Sequence, residues 1–210
     1  GRLGRDWLSP KGGIWFSVVL RPEIEAKDAF KITFLTSVAV AKTIRKMFRL
    51  NTEIEWPNDV LANGKKVCGI LTEASIRGET VDFVVVGVGV NANIDMDSFP
   101  KYLRKTVTTL ATEVKREVDR EKFLHKLLEE LEVYYKMFKE NRFDSILEEW
   151  KQLNRFFGAN VEVVSFDEKI MGKAVNVDKN GALIVKLADG TTRKVVSGDV
   201  TLLQEKAKHE

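Results

Sequence analysis

Two arginines and a tryptophan stand among glycines at the start of the sequence, in Gly1-Arg2-Leu3-Gly4-Arg5-Asp6-Trp7. Guanidinium groups pair bidentately with phosphate or carboxylate, and glycine lets a backbone approach a ligand closely. This spacing therefore predicts a clamp for an anion, built on Arg2 and Arg5. A basic loop that only faces solvent remains the alternative.

A proline follows a tryptophan in Trp56-Pro57-Asn58-Asp59. The proline biases Trp56 toward an extended conformation and stops the strand, so that Asn58 and Asp59 fall in a turn at the strand's end. Taken alone, these four residues indicate an ordinary turn. They become a candidate site only through the motifs that surround them.

Glycines interrupt two apolar strands further along the chain. Gly69 lies inside one strand, where a glycine weakens packing unless another group approaches its backbone, and a β-bulge is the alternative. Gly87 and Gly89 alternate near the end of the next strand and leave one face free of side chains, which predicts room for a flat ligand. Asn91 follows with a donor and an acceptor. This is not a dinucleotide-binding fingerprint, because the glycines close a strand and do not open a helix.

The elements that position these motifs follow from the hydrophobic pattern. Three- and four-residue spacing predicts helices, and Asp119 is placed to cap the second of them. Asn63-Gly64 predicts a tight hairpin, and the strand that ends at Val90 is so apolar that we expect both of its faces to be covered. Short alternating strands after Gly158 predict a small SH3-type barrel. Helices are predicted over 26–48, 120–140 and 143–154, and strands over 13–21, 53–56, 60–62, 65–74 and 80–90.

Composition narrows the class of protein. The 210 residues, 44% apolar and 31% charged, suit one domain with a small module and exclude a disordered or membrane-spanning chain. The net charge of +3 is spread along the chain, unlike a nucleic-acid-binding arm. Cys68 is the single cysteine and no signal peptide opens the sequence, which indicates the cytoplasm. Two glutamines among many Glu and Lys favour a thermophile source. His125 and His209 lie apart from the motifs and from Cys68, so we expect neither a metal site nor a catalytic triad built on histidine.

The order of these motifs resembles the catalytic and C-terminal domains of biotin protein ligases. That family carries G-R-G-R-x-G-R-x-W, S-P-x-G-G, K-W-P-N-D, K-x-x-G-I-L-x-E and G-x-G-x-N-x-N, in this order. The present chain matches the first motif from its second glycine onward. The other matches are Ser9 to Gly13, Trp56 to Asp59, Lys66 to Glu73, Gly87 to Asn93, and, in the barrel, Gly181 to Leu183 and Ser197 to Val200.

The resemblance implies an α+β fold, with a mixed β-sheet and flanking helices of the class II aminoacyl-tRNA synthetase type, followed by the SH3-like β-barrel. We expect a catalytic domain over 1–156 and the barrel over 157–205. The sequence opens on Gly1 instead of Met, so either it is a processed or trimmed form or the parent chain continues upstream. The resemblance implies an upstream segment, which in the family contains a Ser-Thr-Asn contact with biotin.

The activity implied by the resemblance has two steps. Biotin and MgATP give biotinyl-5′-AMP and pyrophosphate, and a lysine of a biotin carboxyl carrier protein then takes the biotinyl group. The expected cofactors are ATP and Mg²⁺, with biotin as substrate. The expected partner is the carrier protein, with a possible homodimer and with neither DNA nor a membrane.

The family's functional residues carry over by position. The implied catalytic residues are Arg2, Arg5, Glu55 and Lys66. The implied biotin-binding residues are Arg2, Trp7, Gly69, Ile70, Gly87 and Gly89. The implied ATP-binding residues are Arg2, Arg5, Trp56, Asn58, Lys66 and Asn91, and Asn91 is also the implied ligand of the metal.

One residue departs from the family pattern, because Glu55 occupies the position of the family's lysine before the Trp-Pro-Asn-Asp turn. Three explanations are open: Lys65 or Lys66 supplies the cation, Glu55 turns outward, or the site is impaired. A working ligase and a non-catalytic protein that binds biotin or biotinyl-AMP are therefore both considered. A lipoyl or octanoyl transferase is the third candidate, and the Gly/Arg loop and the barrel argue against it.

Overall fold

Two five-stranded sheets and four helices make up the computed structural model, which describes residues 7–165 and 168–203. A 3-10 turn at Ala26–Asp28 precedes the first helix, and another lies at Met96–Ser98. The helices are α1 (Lys31–Phe48), α2 (Leu110–Val114), α3 (Arg120–Lys139) and α4 (Phe143–Leu153). The strands are β1 (Ile14–Leu20), β2 (Thr52–Glu55), β3 (Asp59–Ala62), β4 (Lys65–Arg77), β5 (Thr80–Val90), β6 (Asn160–Val164), β7 (Lys169–Val177), β8 (Leu183–Lys186), β9 (Thr192–Val195) and β10 (Asp199–Leu202).

The main sheet has the order β1-β5-β4-β3-β2, and every pairing between these strands is antiparallel. Two isolated bridges to the main sheet are parallel, Ile54 with Asn154 and Lys66 with Val107. Asn63 and Gly64 both have positive φ in the β3–β4 hairpin, as the sequence predicts.

Side-chain alternation gives the main sheet two different faces. One face packs against the helices, and a row of paired residues across it is buried: Ile14, Val90, Cys68, Val60 and Ile54. Burial raises the pKa of the Cys68 thiol, so this cysteine is a packed apolar residue. The expectation that β5 is covered on both faces is wrong, because Val85, Gly87 and Gly89 on its other face are only half-buried.

Helix α1 is the central helix of the molecule. It packs against α3 and α4 on one side and against β2, β3 and β4 on the other, and most of its side chains are therefore buried. Helix α3 begins where the sequence predicts, with the Asp119 carboxylate accepting a hydrogen bond from the Lys122 amide at 2.9 Å. None of the described helices is long and apolar enough to cross a membrane.

The second sheet is antiparallel, with the order β10-β6-β7-β8-β9. This confirms the SH3-like small domain, while closure of the sheet into a barrel remains a prediction. The indole Nε1 of Trp56 donates a hydrogen bond to the Gly181 carbonyl at 3.0 Å. One cluster of buried apolar residues runs from Ile14 to Val200 without a break between the sheets. The division between 156 and 157 therefore stays a prediction.

Candidate functional site

A row of five paired residues crosses the main sheet on the face that points away from the helices. In register from β1 to β2 these are Trp15, Gly89, Gly69, Asp59 and Glu55. Directly paired residues point to the same side of a sheet. The two glycines therefore form a floor without side chains, with a tryptophan at one end and two carboxylates at the other.

The indole ring of Trp7 lies on this glycine floor. A β-carbon on Gly69 would be 2.5 Å from the ring of Trp7, and one on Gly89 would be 2.9 Å from it, whereas one on Gly87 would make an ordinary 3.6 Å contact with Leu71. Trp7 also meets Trp15 edge to face, with ring centroids 6.1 Å apart. The side-chain-free face that the sequence predicts is thus present, and a flat group of the protein itself covers part of it.

A cavity of about 780 Å³ opens beside the Trp7 ring. Its walls come from the segment 7–9, the turn 55–59, strands β4 and β5, and β10 of the small sheet. All ten candidate residues that the structure describes line this cavity: Trp7, Glu55, Trp56, Asn58, Lys66, Gly69, Ile70, Gly87, Gly89 and Asn91. A volume of this size accommodates a small organic ligand.

The ammonium group of Lys66 is placed at the edge of the glycine floor. Its Nζ pairs with the Asp59 carboxylate and lies 5.1 Å from the centroid of the Trp7 ring. Lys65 does not line the cavity and is exposed at the hairpin. Of the two lysines considered for the cationic role, Lys66 is therefore the one that the fold brings to the site.

Glu55 lines the same cavity, which excludes the explanation in which it turns outward. Arg155 places Nη1 3.4 Å from the Glu55 carboxylate. Burial raises the pKa of the Glu55 carboxyl and the charge of Asp59 raises it further, while Arg155 and Lys66 act to lower it. Glu55 and Asp59 are direct cross-strand partners, so their two negative charges repel each other. The neighbouring cations Arg155 and Lys66 offset this repulsion.

The amide side chains near the cavity are held by backbone carbonyls. Asn58 Nδ2 donates to the Ile70 carbonyl at 2.6 Å, and Asn91 Nδ2 donates to the Thr108 carbonyl at 3.1 Å. Asn91 is buried, and this bond orients its amide group. The indole of Trp56 packs among buried apolar residues and points toward the small sheet through its bond to Gly181.

Some predicted site residues are less easily placed. Arg2 and Arg5 lie outside the described residues, so the anion clamp remains a prediction. Ile70 borders the cavity, but its side chain belongs to the helix-facing side of β4 and is buried in the core. Within 7–165 and 168–203, no group of three or more His, Cys, Asp or Glu side chains is placed to hold a metal ion.

Sequence reasoning did not identify Trp15 as part of the site, and it missed two contributors from later in the chain. One is Arg155, which lies 100 residues after Glu55 in a segment without a motif. The other is β10, whose residues Asp199 to Thr201 line the cavity. The Ser197-Gly198-Asp199-Val200 motif was a signal for β10, but nothing in the sequence connects it with the glycine strands.

Comparison with known families supports the resemblance. The profile of the Biotin/lipoate A/B protein ligase family matches residues 1–91. The profile of the Biotin protein ligase C terminal domain matches residues 156–203. The two matches contain the glycine floor and the small sheet, respectively.

Individual relatives extend the similarity over nearly the whole chain. The bifunctional ligase/repressor BirA of Bacillus spizizenii is 34% identical over 203 residues, which cover 96% of this chain and 62% of that protein. The biotin–[acetyl-CoA-carboxylase] ligase of Mycobacterium tuberculosis is 28% identical, with 97% of this chain and 75% of that protein covered.

A solved structure of the biotin protein ligase from Aquifex aeolicus, in complex with biotin and ATP, matches with a TM-score of 0.83 and 28% identity. The match covers 98% of this chain and 84% of that one. The chain spans 62% of the length of the BirA proteins that it matches. The two profile matches, the relatives and the fold together show that the chain belongs to the biotin protein ligase family.

Proposed function

We propose that the chain joins biotin to ATP as biotinyl-5′-AMP and passes the biotinyl group to a lysine of a biotin carboxyl carrier protein. The observation that carries this proposal is the glycine floor under Trp7, with the ammonium group of Lys66 at its edge. It occurs in a fold that aligns over 98% of its length with a biotin protein ligase in complex with biotin and ATP.

The cavity has an apolar side and a charged side, and this difference suggests where biotin and ATP bind. The apolar side of the cavity, beside the Trp7 ring that covers Gly69 and Gly89, suits the ring system of biotin, since aromatic and apolar walls favour a flat, weakly polar group. The charged side, at Lys66, suits the biotin carboxylate and the α-phosphate. We also assign Asn58 and Asn91 to the ATP side of the cavity. Trp56 borders the cavity, but its buried indole is bonded to Gly181, so ATP binding by Trp56 stays a prediction from the resemblance.

In the first step, a carboxylate oxygen of biotin forms a bond to the α-phosphorus of ATP, and the bond from that phosphorus to the bridging oxygen breaks to release pyrophosphate. Both reactants are anions, so catalysis depends on positioning and on stabilising negative charge. Lys66 supplies a fixed ammonium group for this purpose, and Arg2 and Arg5 are proposed to add two further cations.

The Asn91 amide fits a magnesium ion that arrives with ATP. An amide oxygen is a hard ligand, and Mg²⁺ is commonly held by one or two protein oxygens together with substrate phosphates. The bond from Asn91 Nδ2 to Thr108 leaves the amide oxygen as the group to contact the ion. When bound, the ion neutralises phosphate charge and orients the pyrophosphate leaving group.

In the second step, the amine of the carrier lysine attacks the acyl carbon and AMP leaves, so the chain needs no nucleophile of its own. The carrier protein is part of this proposal. A homodimer, the lack of DNA binding, a cytoplasmic location and a thermophile source remain predictions from the sequence.

Mass spectrometry of a carrier domain tests the proposal. The full-length protein is incubated with the carrier domain, ATP and Mg²⁺, and with biotin, lipoate or octanoate in separate reactions. We expect a mass increase of one biotinyl group in the biotin reaction alone. An unmodified carrier, together with tight calorimetric binding of biotin, would instead identify a non-catalytic binding protein. Modification by lipoate or octanoate would assign the chain to the transferases.

A further inference from the structure

The Glu55 carboxylate lies where it could weaken the proposed site. It belongs to the same face as the glycine floor and lines the cavity. An anionic side chain there repels the phosphates of ATP, and it also attracts the ammonium group of Lys66, the cation proposed to serve them. Glu55 and Lys66 are close enough for Lys66 to lower the pKa of the Glu55 carboxyl.

Arg155 opposes both effects. Its Nη1 lies 3.4 Å from Glu55 Oε2 and donates a second hydrogen bond to the Gly64 carbonyl at 3.1 Å, in the β3–β4 hairpin. Glu55 and Arg155 are both 29% exposed, so their charges are only partly screened by water. The guanidinium therefore ties Glu55 to the hairpin, while Lys66 pairs with Asp59.

The backbone of Arg155 is itself fixed to β2. The Arg155 amide donates to the Ile54 carbonyl at 3.1 Å, and Asn154 forms a parallel bridge with Ile54. The neighbouring Asn154 side chain accepts hydrogen bonds from the amides of Phe156 and Phe157. The segment between α4 and β6 thus holds Arg155 beside the strand that carries Glu55.

We propose that Arg155 is a positioning residue for ATP binding, which holds the Glu55 carboxylate at the hairpin, so that, of the two neighbouring carboxylates, Lys66 pairs with Asp59 alone and keeps its other N–H groups for phosphate. The inference rests on the proposed function, because it assumes that ATP phosphates bind at Lys66. It explains how a family member with glutamate at the position of the family's lysine keeps a positively charged site. Arg155 does not line the cavity, so it acts through Glu55 and not by contact with ATP.

A double-mutant cycle tests this inference. The variants are Arg155→Gln, Glu55→Gln and the double substitution, with Arg142→Gln as the matched control, since Arg142 pairs with Glu140 in the turn between α3 and α4. The KM for ATP is measured in biotin-dependent pyrophosphate exchange, and the affinity for inorganic pyrophosphate is measured by calorimetry. We expect Arg155→Gln to raise the KM about tenfold, equivalent to about 1.4 kcal/mol, with a smaller change in kcat.

Rescue of the KM for ATP by the double substitution distinguishes a positioning role of Arg155 from a purely structural one. We expect the double variant to return to within about twofold of the wild-type KM, because the unpaired carboxylate is gone. Equal weakening in Arg155→Gln and the double variant would overturn the inference, as would an unchanged KM in Arg155→Gln. Should Arg155→Gln fail to fold, Glu55→Gln alone still decides: a tenfold rise in KM would make Glu55 itself a ligand group and refute the inference.

Failure of the proposed function gives a different result. In that case the wild-type chain shows no exchange at all. The calorimetric comparison with pyrophosphate still reports whether Arg155 and Glu55 are coupled at an anion site. Exchange by the wild type with no effect of Arg155→Gln would reject the inference and leave the proposed function intact.

Discussion

Gly69 lies directly beneath the indole ring of Trp7, so closely that a β-carbon at this position would be 2.5 Å from the ring. Residues 62 positions apart in the sequence thus meet because the strand offers no side chain there. This contact brings the segment after the Gly/Arg loop onto the sheet and forms one wall of the cavity.

Substitution of Gly69 by alanine should therefore displace Trp7. We expect Gly69→Ala to lower the free energy of unfolding by about 1–3 kcal/mol, the usual cost of an overpacked contact, and to weaken biotin binding. Gly87→Ala is the matched control on the neighbouring strand, where the β-carbon makes an ordinary contact at 3.6 Å. Chemical denaturation and tryptophan fluorescence measure both effects. Equal losses of unfolding free energy in the two variants would show that the position of Trp7 does not depend on the glycine floor.

Lys66 should be required for chemistry and Lys65 should not. Loss of a cation aimed at developing phosphate charge costs about 10²–10³ in rate, so we expect that reduction in kcat for Lys66→Met. Lys65→Met removes a positive charge from the preceding residue, which is exposed and does not line the cavity. Initial rates of carrier biotinylation provide the measurement. Similar rates in the two variants would remove Lys66 from its proposed role.

The hydrogen bond from Trp56 to Gly181 should stabilise the contact between the main sheet and the small sheet. Trp56→Phe leaves a buried carbonyl without its donor, which costs about 1–3 kcal/mol. Trp150→Phe is the control, because Trp150 is equally buried and, in the part of the chain that the structure describes, its Nε1 has no acceptor. We expect Trp56→Phe to be the more destabilising change in urea denaturation. The reverse order would contradict this role for the bond.

Glu149 should make stability depend on pH below neutrality. Burial acts to raise the pKa of its carboxyl, but hydrogen bonds from Lys42 and Tyr134 outweigh burial and hold the pKa below its usual value near 4.5. The folded state therefore favours the ionised form, and the stability this contributes is present above about pH 4.5 and is lost as the pH falls through the lowered pKa.

We expect Glu149→Gln to lower the free energy of unfolding at pH 7 by about 1 kcal/mol, and the difference from the wild type to shrink below the usual pKa. Glu148→Gln is the control, because Glu148 forms an exposed pair with Lys151. Urea denaturation between pH 7 and pH 3 measures both. A deficit of Glu149→Gln that grows on acidification would contradict the assignment.

Local patterns predict much of this fold from the sequence. Strand β5 and the start of α3 agree with their predicted limits, since apolar alternation and the Asp119 cap are local signals. Part of the glycine floor is also predictable, because alternation alone puts Gly87 and Gly89 on one face of β5, whereas the pairing of Gly89 with Gly69 depends on the strand register. The predicted start of α1 at residue 26 is wrong, because a 3-10 turn occupies 26–28 and the α-helix begins at Lys31.

Long-range contacts account for what the sequence leaves open. Arg155 meets Glu55 only because the segment after α4 returns to β2, and no periodicity encodes that return. In the same way, the ring that covers the glycines belongs to Trp7, and the small sheet completes the cavity wall. The open face of β5 also depends on this assembly, because a cavity and not a second layer of helices lies over it.

Biotin-dependent exchange of labelled pyrophosphate into ATP tests the central claim most directly, because it reports biotinyl-5′-AMP formation without any carrier protein. We predict exchange by the full-length wild-type protein with biotin, ATP and Mg²⁺, and a reduction of about 10²–10³-fold in Lys66→Met but not in Lys65→Met. A wild-type rate no higher with biotin than without it would contradict the account.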